Sequence, residues 1–86
     1  MLKIYGSMLC KDCVQCIAEL KQANVAFEFY DFADNLANLK TFLSIRDRSA
    51  LFDDARREGY IGIPCIVDED GKVNLDWSDY VAQADA

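Results

Sequence analysis

Tyr5-Gly6-Ser7-Met8-Leu9-Cys10-Lys11-Asp12-Cys13 is the stretch on which the reading of this chain turns. Before it, Leu2 to Tyr5 alternates Leu2 and Ile4 with Lys3 and Tyr5, the two-residue period of a strand. Gly6 and Ser7 stop that pattern, and a helical one begins at the first cysteine. Cys10 is therefore expected at the mouth of a helix, where backbone N–H groups lack intrahelical partners and the helix dipole is positive. Both effects favour a thiolate over a thiol. Cys13 follows nearly one turn later, close enough to close a disulfide with Cys10. Strand, C-x-x-C and helix in that order suit thiol–disulfide exchange, which needs an open attacking sulfur and a covered resolving one.

Composition narrows the setting. With 86 residues, the chain has material for one modest core, so a single domain over residues 1–86 is expected. The apolar share of 52% is ample for that core. Fifteen acidic residues against nine basic give a net charge of −6, with no basic block to neutralise phosphates, so nucleic acid is excluded as a partner. No apolar run reaches the roughly 18 residues of a membrane span, and Met1-Leu2-Lys3-Ile4 has no basic-then-apolar signal character. A cytoplasmic protein that does not engage membranes is expected. In that reducing compartment four cysteines argue for redox or metal chemistry over a structural disulfide framework.

Taken in order, a first helix is expected from Lys11 to Ala23, with Cys13, Cys16, Ile17 and Leu20 on one stripe and Val14, Ile17, Ala18 and Lys21 on an adjoining one. Asn24 suits a left-handed stop. Val25 to Tyr30 alternates as a half-covered edge strand. Leu36, Leu39, Phe42, Leu43 and Ile45 mark a second helix, broken by Arg46-Asp47-Arg48-Ser49. Ser49 then caps a short third helix carrying Leu51, Phe52 and Ala55, which Gly59 ends. Ile61-Gly62-Ile63-Pro64-Cys65-Ile66-Val67 reads as a central strand covered on both faces, with Pro64 tolerable only at a strand start or bulge. Asp70-Gly71 turns the chain into a returning strand, Lys72 to Leu75. A last helix sets Trp77, Tyr80, Val81 and Ala84 on one side.

The order β-α-β-α-α-β-β-α implies an α/β domain whose four-strand mixed sheet is flanked by helices. With Cys10-Lys11-Asp12-Cys13 at the end of the first strand and Gly62-Ile63-Pro64 opening the third, the whole chain resembles the thioredoxin fold, in its glutaredoxin-sized form. Phe42-Leu43-Ser44-Ile45-Arg46-Asp47 followed by Gly59-Tyr60-Ile61-Gly62-Ile63-Pro64-Cys65 resembles the small bacterial glutaredoxin-related proteins. The resemblance implies a cis Pro64 lying against the cysteine pair, and a backbone at Ile63 that pairs with an incoming substrate strand. It also implies catalysis by Cys10 as nucleophile and Cys13 as resolving residue, with Lys11, Ile63 and Pro64 contacting substrate. The expected substrates are disulfide-bearing proteins or small thiols, with electrons drawn from a reductase or from glutathione, and the expected state is a monomer.

The chain departs from glutathione-using members at two places. A Lys three residues before the first cysteine is replaced by Ser7, and a Gly-Gly step after the last strand by Leu75-Asp76-Trp77-Ser78-Asp79. Asp76 and Asp79 would repel an anionic tripeptide, so no cofactor is required and weak glutathione use is expected. Trp77-Ser78-Asp79-Tyr80 is loosely similar to the Trp-Ser-Gly-Phe run of redoxins that draw on thioredoxin reductase.

Two other classes stand beside this one. Cys13-Val14-Gln15-Cys16 is a second C-x-x-C, and Cys65 supplies a fourth sulfur, so zinc or an iron–sulfur cluster is the metal alternative. Six helical residues put Cys10 and Cys16 about 9 Å apart along the axis, too far to converge on one small ion. Cys16 and Cys65 therefore read as core residues and no metal ligands are assigned. A cluster shared between two subunits needs only the exposed Cys10. The third class is a binding module that keeps the fold without turnover.

Overall fold

The computed structural model describes residues 1–85. It is an α/β domain built on a four-strand mixed sheet in the order β2-β1-β3-β4. β1 (Leu2–Gly6) and β2 (Phe27–Asp31) are parallel and joined by α1 (Lys11–Gln22). Then α2 (Leu36–Arg48), a 3-10 turn at Ala50–Phe52 and α3 (Asp53–Glu58) carry the chain back to β3 (Cys65–Val67). β3 runs antiparallel to β1, with Tyr5 opposite Cys65, and β4 (Val73–Asn74) antiparallel to β3. α4 (Ser78–Asp85) closes the chain.

Strand alternation sends side chains to two faces, and each face has its own core. Leu2, Ile4 and Ile66 meet Cys16 and Leu20 of α1, with Trp77, Tyr80 and Val81 packed against them from the α4 side. On the other face Tyr5 and Cys65 meet Phe42, Phe52 and Ala55 from α2, the 3-10 turn and α3. Phe42 and Phe52 touch edge to face with ring centroids 5.8 Å apart. Of the two stripes expected on α1, the buried one is Cys13, Cys16, Ile17 and Leu20, whereas Val14 faces outward.

Caps explain most boundaries. Asn24 takes a left-handed conformation with φ 60 just past α1. Asn35 Oδ1 accepts the Ala37 N–H at 2.7 Å and opens α2. α2 runs through Arg48 instead of breaking at Arg46, because Ser49 is the first residue in an extended conformation. Ser49 Oγ caps the 3-10 turn through the Leu51 N–H, and left-handed Gly59, with φ 83, ends α3.

The third strand is shorter than the apolar run suggests. Only Cys65–Val67 pairs; Gly62 has φ 92 and the Ile63–Pro64 peptide is cis, so Ile61 to Pro64 leaves the ladder geometry. Burial across this segment is uneven as well: Ile61 is exposed, Gly62 and Ile63 are half-buried and Pro64 is buried. β2 begins at Phe27, two residues after the expected Val25, and β4 keeps only Val73 and Asn74 of the expected Lys72–Leu75. Ala84, expected on the packed side of the last helix, is exposed. Among the described residues no helix is long and apolar enough to cross a membrane.

Candidate active site

Cys10 is the N-cap of α1, with extended φ −90 and ψ 122 while its carbonyl already accepts from Val14. The turn before it is tied down twice: the Cys10 N–H donates to the Ser7 carbonyl at 3.0 Å, and the Leu9 N–H to Ser7 Oγ at 3.1 Å. Cys10 Sγ in turn accepts the Cys13 N–H at 3.4 Å, spending its sulfur on a helix donor that has no backbone partner. Cys10 is partly exposed and Cys13 fully buried. Leu9 and Met8, just before the attacking sulfur, stand 94% and 50% open to solvent. Lys11, the first residue of the helix, is exposed.

Cys13 sits directly behind. Burial, with a smaller part from the neighbouring Cys10 and Cys16 sulfurs, outweighs the Ser7 backbone bond and pushes its thiol up to about 12. Gly6 is what makes room for it: a Cβ added there would lie 2.6 Å from Cys13 Sγ and 3.4 Å from the Phe29 ring. In the sequence Gly6 marks only a stop. Its seat for a sulfur was signalled at most by a glycine at a strand end three residues before Leu9.

The register brings the proline to the same place. Tyr5 near the end of β1 faces Cys65 at the start of β3, so Pro64, the residue before Cys65, lies at the same end of the sheet as the Cys10 turn. Pro64 is buried, and Ile63 packs its side chain partly into the Phe42 and Phe52 cluster. Ile63 makes no backbone hydrogen bond among the described residues, which leaves its N–H and C=O for another chain. Cys10, Cys13, Ile63 and Pro64 thus gather at one end of the sheet.

The remaining cysteines are divided by the sheet. Cys16 packs with Leu2, Ile4 and Leu20 on the α1 face, and Cys65 with Tyr5 and Phe52 on the opposite face. Burial raises both thiols to about 12. Among the described residues no three His, Cys, Asp or Glu side chains are gathered as a metal site.

The two acidic residues expected to guard a glutathione site meet at one side chain: Asn74 accepts the Asp76 N–H on its Oδ1 at 2.9 Å and donates from its Nδ2 to Asp79 at 3.0 Å. β4 ends at Asn74, opposite Ile66, and Asp76 follows it by two residues. Its carboxylate accepts from both the N–H and the hydroxyl of Ser78, bonds that hold it below the usual carboxylate range. Asp79 also lines a cleft with Met1, Leu2 and Asp68.

No family model matches the chain, and no solved structure matches it. It is 39% identical over 75 residues to an uncharacterized protein of Haemophilus influenzae, across 87% of each chain. The chain belongs to the family of that protein.

Proposed function

We propose that this chain is a thiol–disulfide oxidoreductase with a thioredoxin-type fold of glutaredoxin size. The observation that carries the reading is the pairing of a partly exposed Cys10 at the mouth of α1 with a buried Cys13 whose amide donates to the Cys10 sulfur. The helix mouth leaves the first sulfur open to a substrate disulfide, and burial keeps the second thiol protonated until it is needed.

In the reducing direction, Cys10 thiolate attacks one sulfur of a substrate disulfide. The Cys10–substrate bond forms, the substrate S–S bond breaks, and the departing thiolate takes a proton from water. Cys13 then gives up its proton and attacks Cys10 Sγ, forming the Cys10–Cys13 disulfide and releasing the second substrate thiol. Two electrons pass from the protein dithiol to the substrate. A reductase or glutathione restores the dithiol. The chain has no histidine, so water or the Asp12 carboxylate takes the Cys13 proton.

Open Met8 and Leu9 beside the attacking sulfur favour a protein disulfide over a small charged one. Ser7 is neutral and already used in its turn, and the chain carries a net charge of −6, so an anionic tripeptide finds little attraction. The protein acts as a cytoplasmic monomer. The test is NADPH-coupled reduction of insulin disulfides, with either thioredoxin reductase or glutathione plus glutathione reductase as donor. Turnover with thioredoxin reductase is expected to exceed that with glutathione. No turnover with either donor, or visible absorbance from an iron–sulfur cluster on Cys10 in freshly purified protein, would remove the reading.

A further inference from the structure

We infer that Arg46 is a positioning residue for the segment that presents substrate to Cys10, an inference that rests on the oxidoreductase reading above. Between Gly59 and β3, Ile61, Gly62 and Ile63 form no backbone hydrogen bonds among the described residues. A segment without a ladder has to be held by side chains. Two contacts do this. The Gly62 backbone lies flat on Phe52, where a Cβ would come within 2.7 Å of the ring. The Arg46 guanidinium reaches across from the last turn of α2 and donates from Nη2 to the Tyr60 carbonyl at 2.8 Å.

Arg46 is itself braced. Arg56 of α3 donates to the Arg46 carbonyl and, at 3.3 Å, to the Ser49 carbonyl, and pairs with Asp53. A chain of contacts therefore runs from Asp53 through Arg56 and the backbone of Arg46 to Tyr60, just upstream of Ile63 and Pro64. The Nε of Arg46 is buried with no partner. A side chain that leaves one donor desolvated and unpaired is a poor source of stability, so its contribution lies in the single bond it makes. The Tyr60 N–H is already tied to the Ala55 carbonyl at 3.1 Å, and the Arg46 bond adds the hold on the Tyr60 carbonyl, where the unpaired backbone of Ile61 to Ile63 begins. Nothing on this path touches the sulfurs. Substrate capture and cysteine chemistry should therefore respond separately.

The experiment compares Arg46→Ala and Arg46→Lys with the parent and with Arg48→Ala, a control on the same turn that makes no polar bond among the described residues. Three quantities are read: kcat and KM for a disulfide-bearing peptide, the alkylation rate of Cys10 with iodoacetamide, and chymotrypsin cleavage after exposed Tyr60. Arg46→Ala is expected to lower kcat/KM about tenfold, mainly through KM, as a misplaced binding edge does. Cys10 alkylation should stay within about twofold, cleavage after Tyr60 should accelerate, Arg46→Lys should recover part of the loss, and millimolar guanidinium should rescue Arg46→Ala. Parental kcat/KM and cleavage in Arg46→Ala would overturn the inference, as would an equal loss in Cys10 alkylation or in Arg48→Ala. A parent that does not reduce the peptide would remove the redox reading and this inference together; an active parent beside an unaltered Arg46→Ala would remove this inference alone.

Discussion

The α-carbon of Gly6 faces the sulfur of Cys13 so closely that a methyl group on it would stand 2.6 Å from Sγ. The strand end thus forms the floor on which the resolving sulfur rests. Gly6→Ala should push Cys13 and the first turn of α1 outward. We expect a loss of about 1–3 kcal/mol in urea unfolding, the usual cost of overpacking, together with slower release of substrate from the mixed disulfide. An equally stable Gly6→Ala protein with parental release would show that this contact is slack.

Alkali should unfold the protein early. Burial raises Cys13, Cys16 and Cys65 to about 12 from an ordinary thiol value of 9.0. The fold favours the neutral thiols, so their contribution is whole below pH 9 and is lost as pH climbs toward 12. Each group removes up to about 1.4 kcal/mol per pH unit in that window. Thermal midpoints measured from pH 8 to 11 should fall steeply above 9, and Cys65→Ala should flatten the decline. Midpoints level up to pH 11 would contradict the burial argument.

Resolution should share that pH dependence. Below its pKa the thiolate fraction of Cys13 grows about tenfold per pH unit, and the rate of the second exchange step should follow it. Stopped-flow release from a preformed mixed disulfide reads this step alone. A plateau below pH 9 would mean that a base, with Asp12 the nearest in sequence, takes the proton in advance.

How much of this was legible in the sequence differs by element. β1, α1 and the cap at Cys10 were plain because local rules govern them: alternation, a glycine stop, then helical period. The core roles of Cys16 and Cys65 were legible for the same reason, since period alone assigns a face. The Ile61–Pro64 segment reads as strand only because it is apolar: Ile61 is exposed, and the backbone of Gly62, at φ 92, takes the segment out of the sheet. Arg46 was invisible as a contact to Tyr60, since an arginine in a helix's last turn looks like any solvated cation. The bridge that Asn74 makes between the Asp76 N–H and the Asp79 carboxylate was not legible, because it is settled by how the chain enters α4, which no local pattern encodes.

Glutathione use should rise when the local charge is made less negative. Asp76→Asn removes one of the two carboxylates gathered at Asn74, and Ser7→Lys places a cation before Cys10. The double variant should gain about tenfold in glutathione-dependent turnover at low salt, and less at high salt, where screening weakens the gain. A glutathione rate in the parent that already matches the double variant would discount the charge argument.

The most direct test of the central claim is to trap the first intermediate. Reduced Cys13→Ser and Cys10→Ser proteins are mixed with 5,5′-dithiobis(2-nitrobenzoate), and the adducts are located by peptide mass spectrometry at pH 7. The account predicts a stable one-to-one adduct on Cys10 in Cys13→Ser, rapid loss of that adduct in the parent as Cys13 displaces it, and no fast adduct in Cys10→Ser. Labelling of Cys16 or Cys65 ahead of Cys10, or an adduct on Cys10 that persists in the parent, would contradict it.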